Sequence, residues 1–267
     1  MTRMPKLLRD VKSFYRINKR EHLPWRKTHD PYRIMVSEVM LQQTQVERVI
    51  PFYEKFIARF PDAKTLAKAP LSEVLKYWSG LGYNRRGKFL HEAGKVIAKE
   101  GWRGQKLPGV GPYTAAAIEA FAHNKPTVFI ETNIRTVFIY YCFAKRRKLD
   151  SLISDAEILP LVEKALKQSR MKPRDFYAAL MDYGSHLKQK GIKLNTRSKH
   201  YNKQSKFEGS YRQLRGAILR ALLQESKNIE QLVDITGRKQ SDINRVLANL
   251  SSEGIIAIKN KTVSILD

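Results

Sequence analysis

The sequence predicts a mainly α-helical fold that ends in a small winged-helix-like α+β module. Through the first 187 residues, apolar side chains recur at helical spacing. Helix-start signals stand between these runs, such as Asp30-Pro31, where a capping acid precedes a proline in the first turn. Near the end of the chain, residues 255–266 alternate apolar and polar side chains around Lys259-Asn260-Lys261, as a β-hairpin does.

The helical segments follow one another with short breaks. Helices are predicted over residues 5–20, 31–45 and beyond, 49–60, 65–78, 84–99, 113–122, 133–143, 155–168 and 173–187. Pro51 is expected to mark a boundary or kink near the end of the helix that begins at Pro31. Residues 80–83 predict a turn. Residues 126–130 are interpreted as an extended lead-in to the next helix, because helices flank them on both sides.

The composition changes after Leu187. Residues 188–209 are rich in Lys and Arg, Lys199 among them, and predict a basic linker or a loop along DNA. Residues 211–223, 229–236 and 240–253 then predict three helices before the hairpin, which is the winged-helix pattern. Its helix at 241–250 would enter a DNA groove, although docking of a protein stays open. The predicted domains are therefore 1–187, the linker 188–209, and 210–267.

The charge balance predicts a polyanionic partner. The chain has 50 Lys and Arg against 25 Asp and Glu, a net charge of +25, which is typical of proteins that bind nucleic acid. A ribosome-associated or merely basic protein is the alternative. The single cysteine, Cys142, excludes an intrachain disulfide and a cysteine-ligated cluster. No signal peptide and no run of roughly 18 apolar residues is visible, so we expect no membrane partner and a cytoplasmic location, near the nucleoid in a bacterium.

Two stretches carry the candidate chemistry. On a helix through residues 34–45, Glu38 shares a face with Ile, Met and Leu side chains, so its pKa is expected to rise and suit a general acid. A solvent-exposed Glu38, or one paired with Arg26 or Arg33, stays open. In Leu107-Pro108-Gly109-Val110-Gly111, two glycines permit a tight turn before a helix. Its N-terminal N–H groups and dipole favour a phosphate.

These motifs resemble one known family. Residues 23–187 are similar to the helix-hairpin-helix DNA glycosylases, and among them to the MutY-type adenine glycosylases. The similarity rests on Leu23-Pro24-Trp25-Arg26, Asp30-Pro31-Tyr32, the run 37–46 around Glu38, the turn 80–83, the hairpin 107–111 and the run 179–184. It implies a two-lobed helical domain that flips a base out of duplex DNA carrying a mismatch or lesion, and a monomer.

The resemblance also implies roles for individual residues. Glu38 would protonate a departing adenine, and Glu131 stands where the family has an Asp that stabilises the sugar cation. The flipped base would lie near Trp25, Arg26, Leu41, Tyr113 and Asp182. The opposite base or the DNA would meet Gln42, Gln43, Thr44, Tyr83, Gly109, Val110, Gly111 and Lys199. Tyr113 replaces the lysine of strand-cutting relatives, which implies base excision without efficient strand cleavage.

Four departures from the family pattern stand out. Glu131 has one methylene more than the family's Asp, which puts activity or substrate in doubt. The four cysteines of an iron–sulfur cluster are missing, with Lys188 at the first of their positions, so we expect no cluster. Whether the hairpin binds a monovalent cation stays open. The helix before the hairpin is expected to be shortened or lost. The 8-oxoguanine-reading C-terminal domain is replaced by the winged-helix-like module.

Three functional hypotheses follow. The first is an adenine glycosylase acting opposite 8-oxoguanine or G in base excision repair. The second is a sister glycosylase for T or U opposite G, or for a damaged pyrimidine, motivated by Glu131 and the missing reader domain. The third is a non-catalytic protein that binds DNA lesions or structures. Retention of both carboxylates argues against the third.

Overall fold

The computed structural model describes residues 3–144, 152–201, 203 and 206–267, and it is mainly helical, as predicted. Its α-helices are α1 Met4–Asn18, α2 Pro31–Leu41, α3 Val46–Arg59, α4 Ala63–Lys68, α5 Leu71–Trp78, α6 Arg85–Glu100, α7 Pro112–His123, α8 Thr132–Cys142, α9 Asp155–Ser169, α10 Pro173–Gln189, α11 Tyr211–Leu222, α12 Ile229–Thr236 and α13 Gln240–Ser252. Short 3-10 helices lie at Pro24–Arg26 and Asn195–Arg197. The strands are β1 Lys227–Asn228, β2 Ile256–Lys259 and β3 Thr262–Ile265. No helix of this described part is long and apolar enough to cross a membrane.

Three predictions about helix boundaries are wrong. The helix from Pro31 does not run through Gln45: it ends at Leu41, because Gln43 adopts a left-handed φ of +56° that a helix cannot continue. Pro51 lies inside α3 and does not mark the end of α2. The segment predicted as one helix over 65–78 is also two helices, separated at Pro70, which precedes the first residue of α5.

Contacts divide the chain into two compact units, and the division falls inside α2. The first unit comprises Met1–Met35 and Gly111–Lys203. Its helices α8 and α10 pack closely: a Cβ built on Gly184 would lie 2.3 Å from the carbonyl oxygen of Asn133. The hydroxyl of Tyr141 on α8 donates to Asp10 on α1 at 2.7 Å.

The segment predicted as a basic linker is ordered over its first part. Helix α10 extends through Gln189, two residues past the predicted boundary. The Ile153 carbonyl accepts from the N–H of Lys199 at 3.0 Å, and the Thr136 hydroxyl on α8 donates to the Asn195 side chain at 3.1 Å. Residues 188–199 therefore belong to the packing of the first unit.

The second unit comprises Val36–Val110 and Gln204–Asp267. Its C-terminal part has the three predicted helices and hairpin, with β1 added to give a sheet of order β1-β3-β2. Asn260 and Lys261 both have positive φ in the two-residue turn between β2 and β3, as a hairpin of this length requires. Leu71 and Leu75 of α5 lie in the same apolar core as α11–α13. The winged-helix-like module is thus built onto α5.

Candidate active site

Glu38 lies in the buried part of α2. Only 7% of its surface is exposed, and its neighbours Met35, Val36, Val39 and Met40 are at most 2% exposed. Glu38 and its apolar neighbours in the chain are therefore buried together, and a solvent-exposed Glu38 is excluded. Removing a carboxylate from water favours its protonated form, which is the property a general acid needs.

Arg86 holds the turn that follows α2. Its Nη1 donates to the carbonyl oxygens of Val39 at 2.8 Å, Met40 at 3.0 Å and Gln42 at 2.5 Å. Its Nη2 donates to the Thr44 hydroxyl at 3.2 Å. Burial lowers the pKa of this guanidinium to about 10, so it stays charged at neutral pH. A cation at the carbonyl end of a helix satisfies acceptors that the helix leaves open.

Two residues predicted to meet the opposite base adopt left-handed backbone conformations. Gln43 has φ +56° and Tyr83 has φ +48°, which is uncommon for residues with a Cβ. The turn before Tyr83 is fixed from two sides, since the Gly82 carbonyl accepts from Trp78 Nε1 at 3.1 Å and from Arg86 Nη2 at 3.1 Å. Such strain persists only where the surroundings fix the chain, and it is frequent at functional sites.

The Gly-rich hairpin forms the predicted turn. The N–H of Val110 donates to the Leu107 carbonyl at 3.1 Å, and Gly109 has φ +71°. A Cβ on Gly109 would lie 2.7 Å from the Cβ of Phe89, so glycine is needed for both reasons. Helix α7 begins at Pro112 after Gly111 as its N-cap. The described residues 101–111 contain no helix, which confirms the expected loss of the helix before the hairpin.

Asp182 is the centre of a buried ion-pair cluster in the first unit. Its Oδ1 accepts from Arg20 Nε at 2.7 Å and from Arg26 Nη2 at 3.1 Å, and its side chain is only 1% exposed. Trp25, beside Arg26, is buried as well. Three of the residues predicted around the flipped base, Trp25, Arg26 and Asp182, thus lie on one hydrogen-bonded support.

Glu131 is the N-cap of α8. Its Oε1 accepts from the N–H groups of Asn133 at 2.7 Å and Ile134 at 2.8 Å. Its Oε2 accepts from the Asn133 side chain at 3.1 Å. Burial raises the pKa of the Glu131 carboxyl, while these donors and the charge of Lys188 act in the opposite direction. The longer side chain therefore already has a structural partner, the open end of a helix.

The remaining predicted residues are placed as follows. Tyr113 lies in the first turn of α7, with its ring edge-on to Phe129 at 5.6 Å between centroids. Lys199 is exposed. The first unit holds Trp25, Arg26, Gly111, Tyr113, Glu131, Asp182 and Lys199, and the second holds Glu38, Leu41, Gln42, Gln43, Thr44, Tyr83, Gly109 and Val110.

Sequence reasoning missed the roles of two arginines, Arg86 and Arg20. Arg86 was one basic residue at the start of a predicted helix, and nothing local indicates that it binds the carbonyl oxygens after α2. Arg20 binds Asp182 at a separation of 162 residues, which no periodicity reports. No local signal in the sequence could have indicated either role.

Comparison with known proteins shows what the chain is similar to. A model described as "HhH-GPD superfamily base excision DNA repair protein" matches residues 36–159, which include Glu38, the hairpin and Glu131. Residues 36–159 are therefore similar to that superfamily. The adenine DNA glycosylase of Buchnera aphidicola (subsp. Baizongia pistaciae) is 43% identical over 131 residues, which is 46% of this chain and 37% of that relative.

Other relatives extend this similarity. The adenine DNA glycosylase of Mycolicibacterium smegmatis is 39% identical over 175 residues, 62% of this chain and 58% of the relative. That of Rattus norvegicus is 37% identical over 194 residues, 66% of this chain and 37% of the relative. The chain thus spans about two fifths to three fifths of the length of these curated relatives.

Solved structures with the HhH-GPD fold are similar too. A thermostable thymine-DNA glycosylase has a TM-score of 0.58 and 26% identity, covering 68% of this chain and 86% of that one. An endonuclease III trapped covalently on DNA has a TM-score of 0.53 at 18% identity, covering 68% of this chain and 85% of that one, which shows likeness of fold alone.

The residues present do not suit an iron–sulfur cluster. The sequence has one cysteine, Cys142, whose thiol pKa is raised by burial to about 11, so it is a poor thiolate donor. Within the described ranges, no group of three or more His, Cys, Asp and Glu side chains could hold a metal ion.

Proposed function

We propose that this protein is a DNA glycosylase that removes adenine mispaired with G or 8-oxoguanine. The observation that carries the proposal is the buried carboxylate of Glu38, on a helix whose C-terminal carbonyls are held by Arg86. Relatives named adenine DNA glycosylase, 36–43% identical over their matched parts, support adenine as the base.

In the proposed reaction, Glu38 donates its proton to N7 of the flipped adenine. The bond between the sugar C1′ and N9 then breaks, and its electron pair leaves with the base. The sugar passes through an oxocarbenium-like cation, which an ionised carboxylate at Glu131 stabilises. Water adds to C1′ and loses a proton, which leaves an abasic site and free adenine.

Strand cleavage is not part of the proposed reaction. A lysine amine could attack C1′ and form a Schiff base that leads to a cut, whereas the Tyr113 hydroxyl cannot form one. We expect intact strands after base release, and breaks only when alkali is added.

Duplex DNA is the proposed partner. The net charge of +25 favours a polyanion. We propose that the protein acts on this DNA as a monomer and needs no iron–sulfur cluster.

The test is release of free base from duplexes with A opposite 8-oxoguanine, G or C, and with T or U opposite G. Glu38→Gln is expected to slow adenine release at least about a hundredfold, because it cannot donate the proton. Glu47→Gln is the matched control, since Glu47 is an exposed acid in the first turn of the next helix. Intact DNA after alkali for every duplex would overturn the proposal.

Thymine or uracil opposite G is the second candidate substrate. The similarity to a thymine-DNA glycosylase over 86% of that chain favours it, as does Glu131 in place of the family's Asp. Faster release of T or U than of A, in the same panel, would select this candidate.

A further inference from the structure

One cleft of the second unit joins the predicted DNA-contacting turns to the C-terminal module. It has a volume of about 480 Å³ and is lined by Gln42, Gln43, Tyr83, Gly109 and Arg212, among others. The first four are residues predicted to meet the opposite base or DNA. Arg212 belongs to α11, at the start of the winged-helix-like module. The module therefore supplies a side chain to the same cleft.

The arginines around this cleft differ in their partners. Arg86 binds the carbonyl oxygens after α2, and Arg215 forms an ion pair with Glu253. Arg212 instead contacts the ring that stands in the cleft: its Nη1 donates to the Tyr83 hydroxyl at 3.1 Å, and its guanidinium carbon lies 5.8 Å from the ring centroid.

The cleft pairs a guanidinium with an aromatic ring on a fixed turn. Tyr83 is partly exposed and held at positive φ, and the guanidinium carbon of Arg86 also lies near its ring, 5.5 Å from the centroid. An aromatic face stacks on nucleobases, and a guanidinium matches the O6 and N7 acceptors of guanine. A phosphate needs the guanidinium alone, so the ring favours a base as the ligand.

We propose that Arg212 is a specificity-determining residue that selects guanine, through its O6 and N7 acceptors, opposite the excised base. The module 210–267 thereby takes part in reading the opposite strand through α11. This inference rests on the proposed glycosylase function. It assigns to the module a role in substrate choice, beyond its part in the core of the second unit.

The experiment measures binding and single-turnover base release for duplexes in which A faces G, 8-oxoguanine, C or an abasic site. Binding is measured in the Glu38→Gln background, where the duplex stays intact. Arg212→Gln is expected to reduce the preference for G over C by about tenfold, with little change for the abasic duplex or for the 8-oxoguanine duplex, whose base has a hydrogen on N7. Arg220→Gln is the control, because Arg220 is an exposed arginine of the same helix outside the cleft.

Arg212→Lys separates base reading from phosphate binding. A lysine restores a phosphate contact but not a bidentate one to guanine, so we expect it to behave like Arg212→Gln. If Arg212→Gln weakens binding equally for all four duplexes and Arg212→Lys restores it, Arg212 contacts a phosphate and the proposal is overturned. An unchanged preference for G over C in Arg212→Gln would overturn it as well. Unchanged melting of both variants excludes misfolding. If no base is released from any duplex while binding still depends on Arg212 and on the opposite base, the proposed function fails and the reading role stands.

Discussion

At the scale of single residues, Glu131 shows how one carboxylate can serve a helix and a reaction. It accepts two backbone N–H groups of α8 and the amide of Asn133, and it also stands where the resemblance places the acid that stabilises the sugar cation. The extra methylene sets how far the carboxylate reaches from the backbone. The cap therefore fixes the position from which any catalytic contact is made.

Shortening this side chain tests which geometry the site uses. Asp is also a good N-cap, so Glu131→Asp should keep α8 formed and leave the melting temperature within a few degrees. We expect its base release to fall about tenfold to a hundredfold, because the carboxylate is withdrawn from a site built around Glu. Single-turnover release with adenine opposite G measures this. A faster variant would show that the site kept the geometry of the family's Asp.

The pH dependence of stability provides a second test of Glu131. Its pKa is raised in the folded protein, so folding favours the protonated form. The stability from this group is fully present below the ordinary pKa of 4.5 and is lost as the pH rises through the raised value. Urea unfolding from about pH 4 to about pH 7 should show wild type losing stability relative to Glu131→Gln. A difference that does not vary with pH contradicts this.

At the scale of elements, the turn after α2 depends on Arg86. Lysine offers one compact ammonium where the guanidinium reaches several carbonyl oxygens, so Arg86→Lys should cost about 2 kcal/mol of unfolding free energy. Amide exchange at Gln43 and Thr44 should accelerate, because the strained turn loses its support. Arg85→Lys, next in the chain and on an exposed residue, is expected to stay within about 0.5 kcal/mol. Equal effects of the two substitutions would contradict a special role for Arg86.

The contact of α8 with α10 depends on Gly184. Alanine usually stabilises a helix by about 1 kcal/mol over glycine, but here its Cβ would meet the Asn133 carbonyl. We expect Gly184→Ala to destabilise the protein by about 1–3 kcal/mol and to slow base release, because α8 carries Glu131 at its start. Gly216→Ala on α11 is the matched control, since its Cβ would make only ordinary contact at 3.5 Å. Destabilisation by both variants alike would refute the packing argument.

At the scale of the whole molecule, the sequence predicted features that depend on neighbouring residues and missed contacts between residues that are far apart in the chain. The residues next to Glu38 are apolar, and this local pattern predicted that Glu38 is buried. The two glycines of the hairpin lie close together in the chain, and they predicted the tight turn. The left-handed Gln43 could not be predicted, because Arg86, which holds that turn, comes from another helix. The core shared by α5 and the module could not be predicted either. Periodicity identifies the apolar face of a helix, but it does not identify the helix that packs against that face.

The apolar core shared by α5 and α11–α13 allows a prediction about how the chain unfolds. Leu75 on α5 is fully buried in one core with residues of α11–α13, so Leu75→Ala should lower the unfolding free energy by about 3 kcal/mol. Because the lost contacts belong to one core, amide exchange should accelerate in α13 as well as in α5. A module that folds independently would show unchanged exchange in α13.

The control for this prediction is Leu180→Ala, which removes an equally buried leucine from α10 of the first unit. It should accelerate exchange in α10 and leave α13 near its wild-type rates under native conditions. If both variants accelerate α13 to the same degree, exchange there reports global unfolding and the two units are not separable in stability. If only Leu75→Ala does, residues 36–110 and the module unfold together. A truncation after residue 209 would then expose the apolar face of α5.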